Sequence, residues 1–148
     1  MVGCVLPSHV LAGAVGLRLD RADVQWHVSP GQDDSLMRFW LTFGGTSYGF
    51  HVGAEDEILD VIVEDRGTDA DMGVYGRLEV RTAEGRDPAA SAVGQRLVVV
   101  HDLFAGYLGK PIGARLSFES VDLSVADWED ELHWAVGDLP PAVGVRQR

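Results

Sequence analysis

The amino-acid sequence predicts a mainly β, single-domain protein, an antiparallel sandwich or partly closed barrel spanning residues 1–148 with at most one or two short helices. Three observations carry that expectation. Short runs alternate apolar and polar residues with period two. Their connections are brief and marked by Gly, Asp, Ser or Pro. The order of the runs recurs along the chain, as an internal duplication would leave it. A length of 148 residues suits one core that buries about two thirds of the surface its unfolded chain exposes.

In chain order the runs are VQWHV (Val24–Val28), MRFWLTF (Met37–Phe43), SYGFHV (Ser47–Val52), EILDVIVE (Glu57–Glu64), GRLEVRT (Gly76–Thr82), ARLSFES (Ala114–Ser120), VDLSVAD (Val121–Asp127) and ELHWAV (Glu131–Val136). TFGGTS and VGAEDE are turn sequences between them. Between Ser91 and Leu108 the pattern changes: Val93, Leu97, Val100, Phe104 and Leu108 fall at helical spacing ahead of Gly109, a C-cap residue. A helix is expected there, with a strand centred on LVVV as the competing reading. Asp65–Gly73 and Ala83–Ser91 have linker composition but are too short to divide two cores. The C-terminal LPPAVGVRQR is expected to fray or to lie across the surface.

The recurring order links two halves, about 9–65 and 101–138. Leu41 and Phe43 answer to Leu116 and Phe118, and Tyr48 and Phe50 to Leu123 and Val125. The acidic triplet Glu55–Asp56–Glu57 answers to Glu129–Asp130–Glu131, and AGAVG (Ala12–Gly16) more faintly to AGYLG (Ala105–Gly109). On that alignment Ala54, Leu59 and Asp60 stand opposite Trp128, His133 and Trp134, so the second copy adds the aromatic and imidazole groups.

Charge narrows the function class. There are 23 acidic residues against 12 basic ones, a formal net charge of -11, which repels phosphate backbones and argues against nucleic acid. No apolar run approaches the roughly 20 residues of a membrane helix, so no membrane is expected as partner. Cys4, the single cysteine, has no partner within the chain, and a reduced, cytoplasmic setting is the expectation.

The segment DWEDELHW (Asp127–Trp134) gathers four acidic residues, a histidine and two tryptophans. Glu129, Glu131 and His133 alternate, as ligands on one side of a strand would, but neither they nor His51 with Glu55, nor His101 with Asp102, form an established metal spacing. No nucleophile elbow, phosphate loop or dinucleotide fingerprint is present. No catalytic residue, metal or cofactor is therefore assigned, and the reading leans away from an enzyme. Trp128, expected at an exposed hairpin tip, and Glu129, Asp130, Glu131 and His133 are the candidate binding residues, because an aromatic rimmed by charge makes an interface anchor. The competing account folds Trp128 back over the neighbouring sheet. The expectation is a non-catalytic macromolecule-binding or regulatory module with a basic protein partner, in which a homo-oligomer is allowed. Its alternatives are a small-ligand-binding β barrel and, behind it, a metal-dependent hydrolase.

Overall fold

The computed structural model describes residues 5–53, 58–105, 109–140, 143 and 145–147. One antiparallel sheet contains β1 (Leu19–Val28), β2 (Ser35–Phe43), β3 (Thr46–Val52), β4 (Leu59–Val63), β5 (Ala70–Asp71) and β6 (Arg77–Thr82), in the order β4-β3-β2-β1-β6-β5. The other contains β7 (Leu97–Ala105), β8 (Pro111–Phe118), β9 (Asp122–Trp128), β10 (Glu131–Val136) and β11 (Val145–Gln147), in the order β10-β9-β8-β7-β11. The sheets are not closed into a barrel. Alternate residues of both, among them Leu19, Phe39, Leu41, Phe50, Leu97, Leu116 and Val125, meet in a common core. The short helix α1 (Pro7–Val10) lies against β4, β7 and β8. Among the described residues no helix is long and apolar enough to cross a membrane.

Every run read as a strand overlaps one in the structure; of Ser91–Leu108, the described residues 91–105 follow the competing reading, a strand through LVVV, rather than the helix. A 3-10 turn over Pro88–Ala92 precedes β7, whose ladder passes from Leu97↔Phe118 to Val99↔Ser117 and so skips Val98. This bulge places Leu97 and Val100, three residues apart, toward the core and leaves Val98 and Val99 exposed. A bulged strand thereby imitates helical spacing. The C-terminal segment is also better anchored than its composition suggests, because β11 pairs with β7.

The two sheets share a register. Leu19 pairs with Phe43 and Leu97 with Phe118; each ladder then skips one residue before Arg21↔Thr42 and Val99↔Ser117. A second skip recurs between Gln25 and Trp26 and between Leu103 and Phe104. Next to the first strands lie β6 and β11. The 3-10 turn over Leu11–Ala14 precedes β1 as that over Pro88–Ala92 precedes β7. Between these turns and strands the sequences AGAVGLRL (Ala12–Leu19) and ASAVGQRL (Ala90–Leu97) are alike. The counterpart of Ala12–Gly16 is therefore Ala90–Gly94 rather than Ala105–Gly109, of which 106–108 lie outside the described residues.

The two alike segments bond reciprocally, as surfaces related by a two-fold axis do. Gly16 N–H donates to Leu97 O (2.7 Å) and Gly94 N–H to Leu19 O (2.8 Å). The Arg18 guanidinium donates to Gly94 O (2.8 Å), and that of Arg96 to Gly16 O (3.0 Å). Phe43 and Phe118, equivalent in register, stack 6.3 Å apart inside. The ladders also correct the alignment of the fourth strands: Phe50↔Val61 and Val125↔Trp134 make Val61 the counterpart of Trp134 and Asp60 that of His133. Glu55–Glu57 and Cys4 lie outside the described residues.

Candidate functional site

Strand alternation divides the DWEDELHW segment among different surroundings. Glu129 and Asp130 are the two residues of the β9–β10 turn, with φ of 55° and 62°. Glu129 is thus a turn residue and does not continue the alternation of Glu131 and His133. The cross-strand pairs Trp128↔Glu131 and Ala126↔His133 put Trp128, Glu131 and His133 on the outer face of the second sheet. His133 Nε2 and Glu131 Oε2 approach to 3.8 Å, and among the described residues no three His, Cys, Asp or Glu side chains form a metal-binding group.

Trp128 is not an exposed anchor. It is half-buried against Leu103, Ala126, Leu139 and Val143, because the chain after β10 folds back over this face. Asp130 and Glu131 rim a hollow of about 570 Å³ beside Leu36, Arg38, His51 and Leu132. Trp134 points elsewhere, to a second groove. Of the five candidate residues, Trp128, Glu131 and His133 thus share the outer face, and Glu129 and Asp130 form the turn beside them.

That second groove measures about 510 Å³, within the roughly 300–1,000 Å³ of small-ligand sites. Trp26 comes from β1 and Trp134 from β10, in the facing sheet. Trp134 is braced from below by Phe39, ring centroids 4.6 Å apart, and Phe39 stacks in turn on Phe50 at 4.6 Å. Asp33, Asp34, Glu84 and Asp87 line the groove with Arg81 and Arg86, so four carboxylates face two guanidiniums. Arg81 lies over the Trp26 ring, 5.5 Å from its centroid, and reaches Asp34 at 3.4 Å. Asp87 has a structural task, since its Oδ2 accepts the Glu84 N–H and shapes the turn.

The register explains why this end is open. At the other end Asp102, on β7, accepts the Ser8 N–H (2.9 Å) and hydroxyl (2.5 Å) and ties α1 down. By register the counterpart of Asp102 is Val24, and by the repeat that of Ser8 is Arg86. Valine offers no acceptor, so the equivalent tie cannot form. The groove is left between the 84–88 segment and the tryptophans.

A second polar cluster is structural. Asp23, 1 % exposed on the outer face of the first sheet, accepts from Arg21 (2.8 Å) and Arg66 (3.0 Å). Its hydrogen bond and its charge hold the Arg21 pKa above the ordinary arginine value. Beside it Trp40 donates to Glu64 (3.3 Å) beneath Gly67. These side chains close the sheet's outer face.

Trp134 packs against the core through Phe39 and also lines the groove, whereas Trp26, Asp33, Asp34, Arg81, Glu84 and Arg86 are not among the residues that the sequence singles out. The repeat does not single out Trp26, which stands opposite another aromatic, Phe104, in register; only Trp134, opposite Val61, departs from its counterpart. No protein-family model, curated protein or solved structure matches the chain.

Proposed function

We propose that the protein is a non-catalytic binding module whose Trp26–Trp134 groove takes an arginine- or lysine-bearing segment of a protein partner. The observation that carries the reading is the pairing of two half-buried indoles with four carboxylates against two guanidiniums. An indole face attracts a cation through its quadrupole, most strongly where water is partly excluded. The surplus carboxylates select positive charge, and the net charge of -11 steers a basic partner toward the molecule. A reduced, cytoplasmic setting, expected from the single cysteine, belongs to the same proposal.

Tryptophan fluorescence titration with acetyl-hexaarginine-amide tests it, with acetyl-hexaglutamate-amide as the control. The arginine peptide binds and the glutamate peptide does not. Trp26→Ala weakens binding by about tenfold or more, the loss of one desolvated aromatic anchor. Glu84→Gln weakens it mainly below about 0.1 M salt, where exposed charges are least screened. Tighter binding of the glutamate peptide, or a Trp26→Ala variant that is folded by circular dichroism and binds like the parent, overturns the reading.

A further inference from the structure

The groove contains a cation of its own. Arg81 projects from β6, its guanidinium lies over Trp26, and Asp34 holds it there from the β1–β2 connection. A planar guanidinium over an indole with a carboxylate at its edge is the arrangement that a partner's arginine would adopt. Arg86, on the same rim, has no such ring or carboxylate seat among the described residues. We infer that Arg81 is a built-in competitor, a side chain that occupies the Trp26 subsite until a partner's arginine displaces it. The inference rests on the reading of the groove as a cation-binding site and adds a regulatory element to it.

Arg81 is well suited to being displaced. Its ion pair with Asp34 is long, at 3.4 Å, and both side chains are two-fifths or more exposed. Such a pair is weak and easily exchanged. An incoming arginine finds the same ring and the same carboxylate, while the freed Arg81 turns to solvent. No covalent step is involved. Apparent affinity falls by the fraction of molecules whose subsite is free, so an Arg81 seated about nine-tenths of the time lowers it about tenfold.

Removing Arg81 also makes the groove more negative, and the experiment must separate the two effects. The full chain and its Arg81→Gln and Arg86→Gln variants are titrated with acetyl-hexaarginine-amide at about 0.05 M and about 0.5 M NaCl; the Debye length is near 4 Å at the higher salt. Both variants remove one charge from the same rim, but only one vacates the ring. Displacement predicts that Arg81→Gln binds about tenfold tighter than the parent at both salt concentrations. Arg86→Gln should gain only at low salt. Equal gains in the two variants that vanish at high salt, or weaker binding by Arg81→Gln, overturn the inference while leaving the groove reading intact. If neither the parent nor either variant binds the peptide at millimolar concentration, both fall together.

Discussion

The two ends of the sandwich begin from the same register and are finished differently. At one end Phe39, Phe50 and Trp134 stack, filling the space between the sheets from within. Their counterparts at the other end are Ala114, Val125 and Val61, much smaller side chains. There α1 lies against β4 and β8, and the Asp102 tie holds it. The same backbone frame thus supports an aromatic end with an open groove and an aliphatic end under a helical cover. Strand register fixes which positions face each other, and the side chains that stand there finish the two ends differently: large rings at one, small side chains and the Asp102 tie at the other.

The comparison breaks first at Phe39. It is fully buried between two rings, so Phe39→Ala removes the centre of the stack and is expected to cost about 3–5 kcal/mol in denaturant unfolding. Trp134 would lose its support, and binding at the groove would fall with it. A loss below about 1 kcal/mol would mean that this end is not filled from within.

A smaller effect is expected at the covered end. Asp102→Ala leaves the Ser8 N–H and hydroxyl without their acceptor, and hydrogen bonds to a charged group contribute about 1.5–3 kcal/mol. Hydrogen exchange should show the amide of Ser8 losing protection, while peptide binding at the opposite end is unchanged. If the amide remains protected, α1 is held by packing alone.

The strands were legible because one face of each is buried, and burial writes period two into the sequence. Leu41, Phe43, Leu116 and Phe118 could be matched by eye for that reason. Two bulges hid β7, since the step from Leu97 to Val100 carries the spacing of a helix turn. Misreading that strand also hid the clearer repeat ahead of it. The groove was less legible still. It depends on Trp26 and Trp134 arriving from different sheets and on Arg81 reaching Asp34, and neither relation leaves a local pattern. Trp128 was hard to place for a further reason: the chain that covers it, around Leu139 and Val143, lies across the surface in a position that its composition, equally fit to fray, does not specify.

The smallest expected effect compares two turns. The β2–β3 turn uses Gly44 and Gly45, with φ of 54° and 84°, and glycine accepts such angles without strain. The β9–β10 turn adopts the same left-handed sign with Glu129 and Asp130, where each Cβ opposes the backbone. Two-residue hairpins with both φ values positive favour Asn-Gly. The double variant Glu129→Asn, Asp130→Gly should therefore stabilise the protein, by about 1 kcal/mol, with the entropy of the added glycine offsetting part of the relieved strain. Denaturant unfolding measures the gain, and the peptide titration shows whether the turn touches function. With the binding site in the Trp26–Trp134 groove, the stabilised variant binds acetyl-hexaarginine-amide as the parent does at about 0.5 M salt, where the two lost charges are screened. A variant that is more stable yet no longer binds would return the site to the hairpin tip and to Glu129 and Asp130 themselves.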